Sequence, residues 1–364
     1  MPKLLTGGAE NAALELVRAL EGDRMHFVAA AVLAGDDGLG AALARAGAEV
    51  TGPLAGCRYD LVAPLRLRRA IRDSNADVVL MVGALRNAMF HLAAASAMGR
   101  LSVARLCWCH SRPGGQAGRF VRPLRLCRAL GVIDAVICVS RHQRAELERM
   151  GLRRRHTMVI RNGVNLNPFS SGAAAPLVLP EGKRVIVQVA NVTPDKDHAT
   201  LIEAAGLLLR RRDDFHLLLV GRGTDSPAMA AAVDRAGIGA CCTLAGLRHD
   251  VPAILAAADV FVLSSAGEVA PIALMEAMAA SLPVVVSDIP AVADIVTDGK
   301  EGLKFPIGDA QALAGAIDRI LSDDGAARRM AAAARARAET FCIAETARRF
   351  ERVLRAAGLA AEEK

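Results

Sequence analysis

Two glutamates, Glu268 and Glu276, are separated by seven residues and lie among segments that would hold both near one edge of a parallel sheet. Val260–Leu263 and residues 283–287 are short apolar runs typical of buried strands, and residues 270–280 have helical composition. A strand, a helix and a second strand in this order form a crossover between neighbouring parallel strands, and ligands of such sheets bind at the carboxyl ends of the strands. The sequence therefore predicts a ligand site in the loop that carries Glu268.

The chemistry of this loop and helix suits a ligand that has both phosphate and hydroxyl groups. Pro271 takes a plausible first helical position, so Glu276 would lie in the second turn, and the free N–H groups of the helix start would face the same pocket as Glu268. N–H donors bind phosphate, whereas carboxylates accept hydrogen bonds from hydroxyls. A sugar nucleotide carries both kinds of group. Two solvent-exposed glutamates remain the alternative that the spacing alone allows.

The sequence around the two glutamates indicates a protein family more specifically than their spacing does. The stretch that begins at Ser264, SSAGEVAPIALMEAMAASLPVVVSD, resembles the E-x7-E signature of retaining GT-B glycosyltransferases, most closely the large family 4 group. The resemblance covers nearly the whole chain. It implies an α/β protein of the GT-B class, with two Rossmann-like domains whose parallel sheets face each other across a cleft. It also implies transfer of a sugar from a nucleoside diphosphate sugar to a glycan or lipid-linked acceptor, in cell-envelope polysaccharide or glycolipid biosynthesis.

The resemblance and the composition together predict the domain boundaries. Residues 1–168 are expected to form an N-terminal, acceptor-binding Rossmann-like domain, and residues 183–343 a C-terminal domain that binds the nucleotide sugar. Residues 169–182, rich in Ser, Gly, Ala and Pro, are the expected linker. The last helix, in residues 344–364, is expected to cross back to the N-terminal domain.

In the first domain, the resemblance points to Gly7, Gly8 and His110. Gly7 and Gly8 open a stretch similar to the N-terminal motif of the family, where glycines let the backbone approach a ligand closely. Few residues precede them, so the first strand is expected to be truncated, through a misplaced start or as a weakened sheet. His110 follows a predicted strand at residues 102–109 and matches the active-site histidine of the family, which contacts the transferred sugar. A structural histidine is the alternative at that position.

In the second domain, the candidate groups for the diphosphate are Asn191, Lys196 and Arg222. Lys196 follows a predicted strand and directly precedes a predicted helix at residues 199–209, which suits neutralisation of a diphosphate. Members of the family commonly supply an Arg and a Lys from this loop. Lys196 matches the Lys, and Asn191 stands where the Arg usually is. Arg222, in a Gly-rich turn after the next strand, could reach a phosphate or face water.

The resemblance implies roles for these residues. Glu276 would bind ribose hydroxyls, Glu268 and His110 would bind sugar hydroxyls, and Lys196 with main-chain groups would hold the diphosphate and stabilise its charge as it leaves the sugar. No cofactor, no metal and no protein nucleophile are expected. The expected catalytic residues are His110, Glu268 and Lys196. The expected donor-binding residues are Gly7, Gly8, Asn191, Lys196, Arg222, Val269, Ala270, Pro271, Ile272 and Glu276.

Four departures from the family pattern fall around the donor site. Val269, Ser281 and Ala291 each replace a usual Gly, and Asp294 replaces a usual Glu. A Gly required at positive φ or beside a phosphate is poorly replaced by β-branched Val. An inactive relative that binds a nucleotide or a partner is therefore one alternative. A sugar-nucleotide epimerase of the same fold is another, although no convincing set of additional acid and base residues can be assigned.

The charge of the chain is divided unevenly between its halves. Residues 1–167 contain 24 Lys and Arg against 13 Asp and Glu, whereas residues 168–364 contain 21 against 25. An anionic partner is thus expected for the first half only. No nucleic-acid motif occurs and aromatic residues make up 3% of the chain, so a membrane surface is favoured over nucleic acid. No apolar run reaches the roughly 18 residues of a membrane-spanning helix.

The segment 118–129 is the most basic candidate for such a contact. Its arginines are spaced three apart, so it could lie on an anionic bilayer with the interleaved apolar residues dipping in. A solvated helix packed on the sheet is an equal alternative. The arginines are Arg119, Arg122, Arg125 and Arg128, and the apolar residues are Phe120, Val121, Leu124, Leu126 and Cys127.

The eight cysteines show no disulfide-like spacing and no secretory signal precedes them, so they are expected to be reduced. Cys107, Cys109 and His110 lie close together, but no second pair with zinc-site spacing follows, and a strand end is the favoured interpretation. We predict a cytoplasmic protein with peripheral contact at the inner face of the cell membrane.

Overall fold

The computed structural model describes residues 4, 7–20, 25–57, 60–83, 86–99, 101–113, 119–169 and 179–362. They form two compact units. The first combines Met1–Gly163 with Ile343–Lys364, and the second is Val164–Cys342. The second unit begins earlier than the predicted boundary at residue 168, because Val164 forms a parallel bridge with Cys342 and packs in the core of that unit. The predicted linker lies largely outside the described residues.

Helices and parallel strands alternate in the first unit. They are α1 (Gly8–Leu20), β1 (Val28–Ala30), α2 (Leu39–Arg45), β2 (Glu49–Thr51), α3 (Ala63–Asp73), β3 (Val78–Val82), α4 (Arg86–Ala97), β4 (Ala104–Cys109), α5 (Val121–Ala129), β5 (Ala135–Cys138), α6 (Arg141–Arg149) and β6 (Thr157–Val159). β1 and β2 form a two-stranded parallel sheet, and β3, β4, β5 and β6 form a four-stranded parallel sheet in that order.

The predicted first strand of the chain falls mostly outside the described residues. Leu4 is described, is buried, and forms a parallel bridge with Asp36. The truncation of this strand therefore stays a prediction.

The second unit has a single six-stranded sheet among the described residues. Its elements are β7 (Arg184–Val189), α7 (His198–Leu209), β8 (Phe215–Val220), α8 (Pro227–Arg235), β9 (Cys242–Leu244), α9 (Val251–Ala256), β10 (Val260–Leu263), α10 (Ile272–Ala279), β11 (Val284–Ser287), α11 (Pro290–Ala293), β12 (Gly302–Phe305), α12 (Ala310–Ser322) and α13 (Asp324–Glu339). All pairings are parallel, in the order β12-β11-β10-β7-β8-β9.

Alternation along each strand gives this sheet an apolar layer on both faces. In β10, Phe261 and Leu263 pack in a cluster with α10 and α13, whereas Val260 and Val262 pack in a second cluster with α7 and α12. Strands buried on both faces read as continuous apolar runs, which is why β10 and β11 are recognisable from sequence.

The last helix, α14 (Ile343–Glu362), belongs to the first unit. Its Phe350 is fully buried, with its ring centroid 4.5 Å from that of Trp108 on β4. Thr346 Oγ1 donates a hydrogen bond of 3.1 Å to the carbonyl of Arg161. These contacts hold α14 against the end of the N-terminal part of the chain.

The strand order of the second unit reverses between β7 and β10. From β7 the chain adds β8 and β9 on one side, and then β10, β11 and β12 on the other. Loops that leave two such strands diverge and open a crevice at their carboxyl ends. The loops after β7 and β10 are those that carry Lys196 and Glu268.

Candidate active site

The loop after β7 places Lys196 directly before the start of α7. Lys196 ends a short 3₁₀ turn, Pro194–Lys196, and Asp197 adopts left-handed backbone angles of φ 45° and ψ 53°. Asp197 also caps α7, since its carboxylate accepts hydrogen bonds from Thr200 N (3.3 Å) and Thr200 Oγ1 (2.6 Å). The chain therefore turns sharply after Lys196, at the carboxyl end of the sheet.

The loop after β10 brings Glu268 onto Lys196. Lys196 Nζ forms an ion pair with Glu268 Oε1, and the two side chains are 27% and 10% exposed. Ser265 Oγ donates a second hydrogen bond to the same oxygen, at 2.9 Å. The carbonyl of Ser265 in turn accepts a hydrogen bond from Ser287 Oγ of β11. Two predicted site residues, 72 positions apart, are thus in direct contact.

Two buried polar residues join the same loops and were not predicted. Ser264 Oγ lies 3.1 Å from the Lys196 carbonyl and 2.9 Å from the Asp197 carbonyl, and Gln188 Nε2 lies 3.3 Å from the Lys196 carbonyl. Gln188 could have been identified from the sequence, because it is a polar residue inside the otherwise apolar run of β7. Ser265 could likewise have been noted from its place in the quoted stretch.

The helix start differs from the prediction by one residue. α10 begins at Ile272, and Pro271 is its cap, with ψ 102°, rather than its first helical residue. The prediction of Pro271 at the first helical position was wrong because that ψ is extended. Glu276 lies in the second turn of α10 and is partly exposed. Val269, Ala270 and Ile272 are partly exposed around the helix start, whereas Pro271 is buried.

The departures from the family pattern have different backbone environments. Among the described non-glycine residues, positive φ occurs at Asn75, Asp197 and Ser281. The φ of Ser281 is 60°. Val269 and Ala291 do not have positive φ. The backbone at these two positions therefore accepts a side chain without left-handed strain. Asp294 follows α11, where its carbonyl accepts a hydrogen bond from Arg337.

A third loop, after β8, is joined to the loop after β7 by two hydrogen bonds. Asn191 Oδ1 accepts a 2.9 Å hydrogen bond from Arg222 N, and Val192 N donates a 2.9 Å bond to the Arg222 carbonyl. Gly221 lies between them at φ 140°, and a Cβ there would be 2.1 Å from the Ala190 carbonyl oxygen. Asn191 therefore braces the backbone of Arg222, and only a glycine fits at position 221 without a shift of the strand end.

His110, Gly7 and Gly8 lie in the first unit, whereas the remaining predicted site residues lie in the second. His110 follows β4, and Gln143 of α6 fixes the turn around it by donating to the carbonyls of Cys109 and Ser111, each at 2.9 Å. Nε2 of His110 is buried with no hydrogen-bond partner among the described residues. Burial lowers the pKa of His110 to about 3, so its imidazole is neutral near pH 7.

Gly7 and Gly8 form the start of α1. Gly8 is its first residue, and the carbonyl of Gly7 accepts the hydrogen bond from Asn11 N at 2.8 Å. Gly8 does not have positive φ. Their role toward a ligand stays a prediction.

The described part of the chain holds no group of three His, Cys, Asp or Glu residues arranged to bind a metal ion. Asp195 and Asp197, on either side of Lys196, have the Asp-x-Asp spacing of a motif that can bind a metal ion. However, the carboxylate of Asp197 is used to cap α7.

Helix α5 presents arginines outward and most of its apolar residues inward. Phe120, Val121, Leu124 and Cys127 are buried in the core of the first unit. Of the two interpretations of this segment, the packed helix is therefore correct for these four residues, and their insertion into a bilayer is wrong. Leu126 and Leu130 are 59% and 68% exposed.

We call the exposed surface formed by α5, the residue that follows it, the end of α6 and the segment after α6 the arginine surface. Arg125 lies against Gly151, and Arg128 Nη2 lies 2.8 Å from His156 Nδ1, so the two segments are in contact. Desolvation, and then the charges of Arg128, Arg155 and Arg153, lower the pKa of His156. The exposed members of the surface are Arg122, Arg125, Leu126, Leu130, Arg149, Met150, Arg153, Arg154 and Arg155. No helix in the described ranges is both long enough and apolar enough to span a membrane.

Comparison with known families accounts for both units. Residues 6–168 match the family model described as Glycosyltransferase Family 4, and residues 173–337 match the one described as Glycosyl transferases group 1. Among curated relatives, the amylovoran biosynthesis glycosyltransferase AmsK of Erwinia amylovora is 29% identical over 57% of this chain and 52% of its own length. The phosphatidyl-myo-inositol mannosyltransferase of Mycobacterium leprae is 31% identical over 56% of this chain and 53% of its own length. The chain thus spans about half the length of these relatives.

Solved structures match over nearly the full chain. HepE from Anabaena, solved in complex with UDP-glucose, has a TM-score of 0.82 at 19% identity, over 97% of each chain. A glycosyltransferase from Rickettsia africae has a TM-score of 0.80 at 19% identity, over 98% of this chain and 96% of that one. At such identities the likeness establishes the fold alone.

Proposed function

This chain belongs to the group 1 glycosyltransferases of the family 4 type, with the GT-B fold, and we propose that it transfers a sugar from a nucleoside diphosphate sugar to a glycan or lipid-linked acceptor in cell-envelope polysaccharide or glycolipid biosynthesis. The observation that carries the proposal is the Lys196–Glu268 ion pair, at the point where the strand order of the second unit reverses. A cation and a carboxylate held together there suit the diphosphate and the sugar of one donor.

The donor would exchange the partners of this pair. Its diphosphate takes the place of Glu268 beside Lys196, and the N–H groups at the start of α10 add further donors. Glu268, still held by Ser265, then accepts hydrogen bonds from sugar hydroxyls, and Glu276 accepts them from the ribose. Positive charge and N–H donors stabilise the diphosphate as it leaves the sugar. In this proposal the anomeric configuration is retained, and neither a metal ion nor a cofactor takes part.

The nucleotide to test first is a uridine nucleotide. HepE, a neighbour in fold, was solved with UDP-glucose and with UDP. This supports a nucleotide-sugar donor for the present chain and leaves its sugar open to direct screening.

The acceptor in this proposal is anionic and lipid-linked. The arginine surface offers guanidinium groups for phosphates, with the exposed Leu126 and Leu130 able to enter the interfacial layer. The mycobacterial relative is a phosphatidyl-myo-inositol mannosyltransferase, which supports a lipid acceptor. The same surface would hold the protein at the inner face of an anionic membrane.

A transfer assay tests the proposal. Purified protein is incubated with radiolabelled nucleotide sugars and either an anionic lipid extract or a soluble glycan, and label is counted in the organic and aqueous products. We expect label in the lipid fraction, and a strongly reduced but measurable rate of transfer with Lys196→Ala. Asp318→Asn, which breaks a surface pair with Arg212, is the matched control.

The alternatives give different products in the same assay. An inactive relative binds a nucleotide but transfers no label to any acceptor. An epimerase changes the sugar of the donor without releasing the diphosphate. Either result, from a folded sample, would replace the proposed transfer.

A further inference from the structure

Ser264 and Gln188 form a buried polar link between the loops that carry Lys196 and Glu268. Both residues have 0% exposure. Ser264 Oγ lies 3.0 Å from Gln188 Oε1, 3.1 Å from the Lys196 carbonyl and 2.9 Å from the Asp197 carbonyl. Gln188 Nε2 donates to the same Lys196 carbonyl at 3.3 Å. The peptide groups on both sides of the Asp197 Cα are thus held by side chains at the ends of β7 and β10.

We propose that Ser264 and Gln188 are positioning residues that hold Lys196 in place against Glu268 and, with donor bound, against the diphosphate. The part that concerns catalysis rests on the proposed function. The part that concerns the Lys196 side chain stands on geometry alone.

The argument starts from the backbone of Asp197. Its left-handed conformation is unfavourable for a residue with a side chain, so it persists where surrounding contacts hold it. The Ser264 hydroxyl has one proton for three nearby acceptors, and the Gln188 amide supplies a second donor. Without them, the carbonyls of residues 196 and 197 would lack these donors. The loop would then move toward other arrangements, and Lys196 would move with it.

One further contact fixes the relation between the two loops. Ala266 N donates a 2.9 Å hydrogen bond to the Asp195 carbonyl. The stretches 195–197 and 264–268 are therefore joined at a main-chain bond, at the Ser264 and Gln188 bonds, and at the ion pair. Ser264 and Gln188 contribute bonds from side chains that are themselves fully buried.

A double-mutant cycle separates positioning from general stability. The transfer assay is run on Ser264→Ala, Lys196→Ala and the double variant, with kcat and the donor KM measured separately. We expect Ser264→Ala to lower kcat/KM by about tenfold or more, since small misplacements at a reacting centre are costly. In the Lys196→Ala background the same change should cause no further loss, because its effect passes through Lys196. If the loss of kcat/KM in the double variant equals the product of the losses in the two single variants, the proposal is overturned.

Thr346→Val is the matched control. Thr346 is also buried and its hydroxyl also donates to a backbone carbonyl, that of Arg161, but it lies in the first unit. Melting curves establish which variants are folded. Gln188→Leu, close in shape and without polar atoms, is the second test variant if Ser264→Ala does not fold.

A chemical readout tests the same claim without any sugar donor. Lys196 is paired and only 27% exposed, so its amine should react slowly with acetic anhydride. Mass spectrometry of peptides would compare its labelling with that of the exposed Lys300 in the same sample. We expect Ser264→Ala and Gln188→Leu to raise Lys196 labelling severalfold and Thr346→Val to leave it unchanged. Unchanged labelling in both test variants would overturn the proposal. If wild-type protein transfers no sugar, the proposed function fails while this readout still decides the positioning claim.

Discussion

Lys196 and Glu268 pair with each other although they are functionally expected to bind different parts of one ligand. The Lys196 side chain is 27% exposed and the Glu268 side chain 10% exposed, so the pair is largely shielded from water. Each group partly neutralises the charge of the other. Any anion that binds at Lys196 must therefore compete with Glu268.

This competition predicts opposite effects of Glu268→Gln on binding and on transfer. Removal of the carboxylate charge should strengthen nucleoside diphosphate binding by up to about fivefold, in line with a partly exposed ion pair. Transfer should fall about 10- to 100-fold because the sugar hydroxyls lose a charged acceptor. Calorimetry with the nucleoside diphosphate and the transfer assay measure the two effects. Weaker binding together with unaltered transfer would contradict the competition.

Ser281 and Val269 both replace an expected glycine, yet only Ser281 has left-handed backbone. Ser281→Gly should raise the free energy of unfolding by about 0.5–1 kcal/mol, since the strain of a side chain at φ 60° is removed. Val269→Gly should lower it, because glycine gains freedom in the unfolded chain and relieves no such strain. Thermal melting measures both. Equal shifts in the same direction would show that the backbone angle is not decisive.

His110 predicts an acid-sensitive contribution to stability. Its folded pKa of about 3 lies below the unfolded value of 6.5, so between these values the unfolded state binds the proton and the folded state does not. The contribution is fully present above pH 6.5 and is lost as pH falls toward 3. At pH 4.5 the wild type should have lost about 2.7 kcal/mol more than His110→Asn, at about 1.36 kcal/mol for each pH unit below 6.5.

Unfolding by urea at several pH values measures this difference. His26→Asn is the control, because His26 lies in the same unit with a side chain that is 62% exposed. If the free energy of unfolding of His110→Asn depends on pH in the same way as that of the wild type, burial is not the dominant influence on the pKa of His110.

The arginine surface predicts salt-dependent membrane binding. Arg122→Glu with Arg125→Glu should lower partition onto vesicles of anionic phospholipid by at least about tenfold, since each basic residue near such a surface contributes about 1 kcal/mol. The control is Arg328→Glu with Arg329→Glu, which changes the same charge at exposed positions of α13 in the second unit. Vesicle sedimentation measures both. Equal binding by wild type and the first variant would remove the membrane contact and weaken the case for a lipid acceptor.

The family and the GT-B fold were predictable from sequence and are confirmed. β10, α10 and β11 have strong local patterns, and the E-x7-E stretch identifies the family with few other residues. Lys196 and Glu268 were assigned to one donor site from their places after strands and from the family resemblance, whereas the switch in strand order that brings them together is visible only in the structure. Their roles toward a donor stay predictions.

Other features depend on contacts that no local pattern records. Ser264 and Lys196 are 68 positions apart, and their link becomes visible only when β7 and β10 lie side by side. The sequence left the surroundings of Phe120 and Leu124 undecided, because these residues alternate with arginines in sequence while they pack together in three dimensions. Pro271 shows the same limit at a smaller scale, since a proline suits both a helix cap and a first turn.

The most direct test is a thermal-shift titration of UDP, GDP and ADP against wild type, Lys196→Ala and Glu276→Ala. A donor site at the ends of β7 and β10 predicts that one nucleotide raises the melting temperature of the wild type in a concentration-dependent manner. The same nucleotide should fail to do so in both variants. A shift that persists in both variants, or no shift with any nucleotide in a well-folded wild type, would contradict a nucleotide-sugar site at Lys196 and Glu276.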